Sequence, residues 1–267
     1  MPHVRVGDIE LYYELLDFTE QWRAGFAPVV LVHGLGGDHH MWLYQVPELC
    51  RRFPTITLDL RGHGESTQPK NDFSMADLAL DIVRLLRTLG VERAHLVGLS
   101  LGGMVAQQFA LDYPSATASL VLADTLCGVP PEYADVMRAA VQFIEQNSMA
   151  EIAKARITNA FSDAIDPATR SYFIDQVARN DKTAYVRAAR AAFGFAAGAR
   201  LAEITVPTLV IVGELDRVTP PPLSEDLARR LRGARLVRIA GAGHISNIER
   251  PVEFNRAVLE FLSGLGA

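Results

Sequence analysis

The chain has 267 residues, 49% of them hydrophobic and 21% charged, and its 26 basic residues are outnumbered by 31 acidic ones, for a formal net charge of −5. One large domain or two small ones fit this length, burying roughly three-quarters of the unfolded surface, and the ordinary glycine and proline counts exclude a disordered, collagenous or coiled-coil chain. The acidic balance, without a long basic run, excludes a nucleic-acid footprint.

At the N-terminus, charges interrupt the apolar residues of MPHVRVGDIELYYE, so no signal peptide is read there. No segment reaches the ~18 apolar residues of a membrane span. A soluble cytoplasmic protein with no membrane or nucleic-acid partner is expected, with assembly into a homo-oligomer left open. Cys50 and Cys127 lie far apart, without CxxC or Cys/His spacing, which suggests neither a disulfide nor a structural zinc site.

HVRVGDIELYYELL alternates in strand fashion around Gly7-Asp8 and predicts an antiparallel hairpin. The following stretch, LLDFTEQWRAGFAP, carries Trp22 and Phe26, which either rim a site or cover the hairpin. Short apolar, β-branched runs then recur at Val29 to His33, Thr55 to Leu60, His95 to Leu99, Ser119 to Ala123, Pro207 to Val212 and Arg235 to Ile239. Helical periods lie between them; in SMADLALDIVRLLRTLG, Leu78, Ile82, Leu85, Leu86 and Leu89 share a face and Gly90 supplies the C-cap. With the hairpin this makes eight strands, and apolar strands alternating with helices describe a mostly parallel sheet flanked by helices on both faces.

From Cys127 to Arg200 the rhythm breaks into helical stretches alone: PEYADVMRAAVQFIEQNS, MAEIAKARITNAF, PATRSYFIDQVARN and TAYVRAARAAFGF. A helical insertion after the sixth strand, at the C-terminal edge of the sheet, is positioned to cover the site that open α/β sheets form there. Residues 127–200 therefore read as a helical cap, and residues 1–126 with 201–267 as the core.

Gly98-Leu99-Ser100-Leu101-Gly102 matches G-x-S-x-G, following the apolar run AHLVGL and preceding the helical LGGMVAQQFALDYP. A serine on such a strand-to-helix turn is exposed at the sheet edge, beside the positive end of a helix. Its hydroxyl is a weak nucleophile that needs a base, and the base needs an orienting acid. His244, in AGAGHISNIERP after the last strand, and Asp216, in VIVGELDRVTPP after the preceding one, complete the order Ser, Asp, His. Asp124, in SLVLADT, also follows a strand and is the competing acid; Asp216 is favoured.

VVLVHGLGGDHHMW, ITLDLRGHGES, HLVGLSLGGMVAQQFALDYP, VGELDRVTP and GAGHISNIERPVEFNRAVLEFL together resemble the α/β-hydrolase superfamily, and within it the 3-oxoadipate enol-lactonase and carboxylesterase group. The likeness runs from the first strands to the last helix and omits chiefly the cap. It implies the α/β-hydrolase fold, catalytic residues Ser100, Asp216 and His244, and oxyanion-hole amides on Leu35, after His33-Gly34, and on Leu101. His33 and His63 then have structural roles, and Asp59 and Arg61 fix a loop. His39 and His40 lack Cys or carboxylate spacing for a metal, and no cofactor is needed for serine chemistry.

The expected activity is hydrolysis of a small-molecule carboxylic ester or lactone through an acyl-enzyme. Perhydrolase or acyl-transfer activity, carbon–carbon bond hydrolysis, or a non-turnover small-molecule receptor are the alternatives on the same triad. The cap holds Met137, Phe143, Met149, Phe161, Tyr172, Phe173, Tyr185, Phe193 and Phe195, with Arg138, Arg156, Arg170, Arg179, Arg187 and Arg190. Most of these pack or face solvent, but such a lid is suited to enclosing an apolar pocket and sparing one guanidinium for a substrate carboxylate.

Overall fold

The computed structural model describes residues 2–20 and 26–266. The hairpin comprises β1 (His3–Val6) and β2 (Ile9–Leu16), with Val6 opposite Ile9 and Gly7 at φ 68°, the left-handed conformation that its tight turn demands. After it come β3 (Val29–Val32), α1 (Val46–Leu49), β4 (Thr55–Leu58), α2 (Met75–Thr88), β5 (Ala94–Leu99), α3 (Leu101–Asp112) and β6 (Thr117–Ala123). Four helices follow, α4 (Ala134–Gln146), α5 (Met149–Ala160), α6 (Pro167–Ala178) and α7 (Lys182–Phe193), before β7 (Thr208–Gly213), α8 (Pro221–Arg230), β8 (Arg235–Ile239), α9 (Ser246–Glu249) and α10 (Pro251–Ser263).

All eight strands form one sheet in the order β1-β2-β4-β3-β5-β6-β7-β8. Strand β2 pairs antiparallel with both β1 and β4, and every pairing from β4 to β8 is parallel. The central strands read as unbroken apolar runs because each serves two cores. Val30, Val32, Leu96, Leu120 and Leu122 pack on one face with residues of α2 and α3, whereas Val29, Leu31, Val97, Leu99 and Val121 pack on the other with Trp42, Phe254 and Phe261. Helix α2 is held at its start by a capping box between Ser74 and Asp77, and Gly90 just beyond its end has φ 69°. Phe26 stacks edge-on against Phe53 at 6.2 Å and packs on the second core, away from any rim; Trp22 lies outside the described residues.

The helical insertion leaves and rejoins the sheet at a closed neck: Gly128 and Ala196 form an antiparallel bridge, and the Ala197 amide donates to the Cys127 carbonyl at 2.8 Å. Phe161, Phe173, Val177 and Tyr185 build a third core that also takes in Ile245 and Ile248, just after the last strand. Phe143 and Tyr172 remain exposed. Cys50 and Cys127 are both free and buried. Among the described residues no helix is long and apolar enough to cross a membrane.

Candidate active site

Five turns at the C-terminal edge of the parallel strands converge. The turn after β5 carries Ser100 at φ 54°, ψ −114°, a conformation strained for an L-residue and held because the chain must reverse from strand into α3 without a spacer. The flanking glycines make that reversal feasible. A side chain on Gly98 would collide with the Gly102 carbonyl, and one on Gly102 with the Val32 carbonyl, so the first turn of α3 lies directly on β3. The Thr125 hydroxyl pins the turn by donating to the Ser100 carbonyl at 2.7 Å.

His244 bridges the other two residues expected here. Its Nε2 lies 3.0 Å from Ser100 Oγ, and its Nδ1 lies 2.8 Å from Asp216 Oδ2. Ser100, Asp216 and His244 are all buried. Asp216 is fixed by an Asx-type turn: Oδ1 accepts from the Val218 and Thr219 amides at 2.7 and 2.9 Å, and the Thr219 hydroxyl donates to Oδ2 at 2.8 Å. Thr219 was not singled out from the sequence, although D-x-x-T after a strand is the local signal for such a turn. Burial, the largest influence on the imidazole, pulls its pKa down, but the Asp216 charge and hydrogen bond, with Asp124 behind them, carry the net shift upward.

Asp124 occupies a separate position. Its Oδ1 accepts the Gly213 amide at 2.8 Å, its Oδ2 meets the Ser246 hydroxyl at 2.6 Å, and it is wholly buried at φ 47°. Burial first, and then the Asp216 charge, push its carboxyl up to about 7. The imidazole thus meets Asp216 directly, and Asp124 braces the loops on either side.

On the opposite wall, the His33-Gly34-Leu35 turn packs against the serine: a Cβ placed on Gly34 would lie 3.4 Å from Ser100 Cβ. Among the described residues, neither the Leu35 amide nor the Leu101 amide at the first position of α3 has a hydrogen-bond acceptor. His33 is buried with both ring nitrogens engaged, Nδ1 with the Gly34 carbonyl at 2.8 Å and Nε2 with the Leu60 amide at 3.0 Å. Burial lowers its pKa, and burial together with His33 drives His63 down to about 3, so both rings are neutral turn supports. Asp59 accepts from the His39 and Glu65 amides at 2.7 and 2.8 Å, and Arg61 pairs with buried Asp81 at 2.6 Å.

His39 and His40 require a correction. The fold gives each a carboxylate, Asp59 at 2.9 Å from His39 Nδ1 and Asp38 at 3.2 Å from His40 Nδ1, and the ligating atoms of Asp38, His39 and His40 come within 4.8 Å of one another. Asp38 is adjacent to the pair in the sequence, whereas Asp59, just beyond β4, is brought to His39 only by the fold. Both carboxylates already accept backbone amides.

A cavity of about 240 Å³ opens over Ser100 and His244, between these turns and the helical insertion. Leu35, Met41, Met137, Phe173, Val177 and Phe193 give it an apolar lining, and among the described residues Arg156 and Arg217 are the permanently charged side chains that line it.

The profile of the alpha/beta hydrolase fold family matches residues 27–251. 3-Oxoadipate enol-lactonase 1 of Acinetobacter baylyi is 29% identical over 240 residues, covering 89% of each chain. Among solved structures, the enol-lactonase from Burkholderia xenovorans LB400 superposes with a TM-score of 0.90 at 31% identity, over 98% of this chain and 100% of that one. A thermophilic esterase from Thermogutta terrifontis gives a TM-score of 0.90 at 29% identity, over the full length of both chains. A serine on a strained strand-to-helix turn, in a sheet of this strand order, thus coincides with a sequence match over most of the chain: the protein belongs to the α/β-hydrolase fold family.

Proposed function

We propose that the protein is a serine hydrolase of small carboxylic esters and lactones, with Ser100, His244 and Asp216 as its triad and residues 127–200 as the cap over its substrate. The observation that carries this reading is the imidazole of His244, 3.0 Å from the Ser100 hydroxyl on one side and 2.8 Å from the Asp216 carboxylate on the other. Ser100 Oγ bonds to the substrate carbonyl carbon as its proton passes to His244 Nε2. The carbonyl oxygen becomes an oxyanion, received by the Leu35 and Leu101 amides; such donors are commonly worth about 3 kcal/mol each. Collapse breaks the bond to the alcohol oxygen, which takes the proton from His244; in a lactone that alcohol stays tethered to the acyl group. Water then attacks the acyl-enzyme, His244 accepts its proton and returns it to Ser100, and the acid leaves. The Asp216 carboxylate fixes the tautomer with the proton on Nδ1 and stabilises the imidazolium.

The names of two relatives, an enol-lactonase and an esterase, support an ester or lactone bond. The experiment is a turnover screen across short esters, enol-lactones and saturated lactones, with labelling by a serine-directed phosphonate. Continuous product release, and labelling that disappears in Ser100→Ala, are expected. A single acylation without turnover would make the protein a receptor, and turnover retained in Ser100→Ala would remove the triad.

A further inference from the structure

The turn from His33 to Asp38, which packs on Ser100 and carries the Leu35 amide, is held from the side of the helical insertion. Asn180, between α6 and α7, donates from Nδ2 to the Gly36 carbonyl at 2.9 Å, and the same nitrogen faces the Gln176 and Val177 carbonyls at the end of α6 at 3.3 and 3.1 Å. Carbonyls on both sides leave one orientation for this side-chain amide. Beside it, Gln176 Nε2 donates to Asp38 Oδ1 at 2.6 Å. The ring of Tyr185, from α7, lies against buried Gly36, where a Cβ would come 2.8 Å from Tyr185 Cε2.

The bond from Asn180 reaches the Leu35 amide through the backbone. The peptide unit joining Gly36 to Gly37 accepts from Asn180 at its carbonyl, and its N–H donates to the Gly34 carbonyl at 3.0 Å. That carbonyl belongs to the same planar unit as the Leu35 N–H. The amides thus run head to tail from Asn180 to Leu35, so each polarises the next, and the last N–H is fixed in direction as well as strengthened. Glycines at 34, 36 and 37 give the turn little stiffness of its own, and the anchor at its tip supplies it. We propose that Asn180 is a positioning residue for the oxyanion hole, so that the insertion helps to stabilise the transition state and does not only cover the substrate. The proposal rests on the hydrolase reading for the role of the Leu35 amide, and on the hydrogen bonds alone for the clamp. Among the described residues that line the cavity over Ser100, Gln176 is present and Asn180 is not, so a change at Asn180 acts through the turn and not by touching substrate.

The test uses Asn180→Leu, nearly isosteric but without a donor, and Asn180→Ala. Rates on p-nitrophenyl acetate and p-nitrophenyl hexanoate are divided by the Ser100 sites titrated with a phosphonate, which removes any unfolded fraction. Both variants should lose about 10–100-fold in kcat, short of the full loss of a deleted oxyanion donor, with KM changed by less than about twofold. The oxyanion is common to both esters, so the loss should not depend on acyl length. A trifluoromethyl ketone bonds through its carbonyl carbon to Ser100 Oγ as the proton passes to His244, leaving an oxyanion in the hole, and its inhibition should weaken by the same factor. An unchanged kcat, a loss confined to KM, or unchanged ketone inhibition overturns the proposal. If the wild type turns over neither ester, the hydrolase reading fails and amide hydrogen exchange across residues 34–38 decides the clamp by itself: faster exchange in Asn180→Leu upholds it, and unchanged exchange overturns it.

Discussion

Asp124 Oδ2 and Ser246 Oγ lie 2.6 Å apart, joining the tip of β6 to the residue two places beyond His244. The other Asp124 oxygen holds the Gly213 amide, where the loop carrying Asp216 begins. One buried carboxyl therefore positions the loops of both Asp216 and His244 without being the imidazole's own partner.

This division predicts unequal effects for two matched substitutions. Asp216→Asn keeps the shape but favours the wrong imidazole tautomer, with an expected loss in kcat of about 10⁴-fold by analogy with the worked protease triad. Asp124→Asn presents its carbonyl to the Gly213 amide and its own amide to the Ser246 hydroxyl, which turns from donor to acceptor, losing only the long 3.4 Å bond from the Ser246 amide, and Asn tolerates the positive φ, so a loss below about tenfold is expected. Steady-state kinetics on one ester distinguishes the two; a larger loss in Asp124→Asn transfers the triad acid to β6.

Thr219 supplies the third donor to Asp216 and lies 3.2 Å from His244 Nδ1. Thr219→Val is nearly isosteric and removes only the hydroxyl, so kcat should fall about 5–15-fold, the worth of one hydrogen bond to a charged group in part compensated by the two amides. Unchanged kcat in a folded Thr219→Val protein would show that the amides alone fix the carboxylate.

Gly102 tests the packing that presents Ser100. An added methyl there meets the backbone carbonyls of Val32 and His33, which have no rotamer to yield, so Gly102→Ala should lose about 3 kcal/mol or more, or fail to fold. The control is Gly198→Ala, whose new methyl finds only ordinary contact with Arg230 and should change stability by less than about 0.5 kcal/mol. Urea midpoints of the two variants give the comparison.

The strands, and the turns that bring Ser100, Asp216 and His244 together, were legible because their signals are local. Apolar runs mark β3 to β7 to within two residues at each end, and Ser100, Asp216 and His244 each sit in a turn that names itself by glycine or proline. What stayed hidden depends on contacts between distant segments. Asp124 and Asp216 both follow strands, and only the folded turns decide which faces the imidazole: Asp124, immediately after β6, turns to Gly213 and Ser246, whereas Asp216, three residues past β7, meets His244. Seven arginines within residues 127–200 look alike in the sequence; only the packing of the helices places Arg156, alone among them, in the cavity lining.

Asp124 also makes stability depend on pH. Its folded pKa, about 7, lies above the ordinary value of 3.8, so the folded state holds a proton that the unfolded state has released. Its stabilising contribution is complete below pH 3.8 and is lost as pH rises to about 7. Asp124→Asn cannot ionise, so its Tm relative to wild type should rise between pH 4 and pH 7.5 and then level off. A Tm difference that is flat with pH means that the carboxyl ionises normally in the fold.

The activity profile should respond to two charges in opposite directions. His244 must be neutral to accept the serine proton, and its raised pKa places the acid limb of kcat/KM above the ordinary histidine value of 6.5. The groups acting on it are Asp216 and Asp124, which favour the imidazolium, and Arg156, which opposes it. Asp124→Asn removes the negative charge that Asp124 takes on as pH rises through about 7, so the limb should move to lower pH; Arg156→Met removes a positive one, so it should move to higher pH. A neutral ester is the right substrate, because its own binding does not titrate, and the double variant should fall between the two if the charges act independently. Shifts in the same direction for both variants would mean that loosened loops, not charge, move the limb, and the electrostatic account of His244 would have to be abandoned.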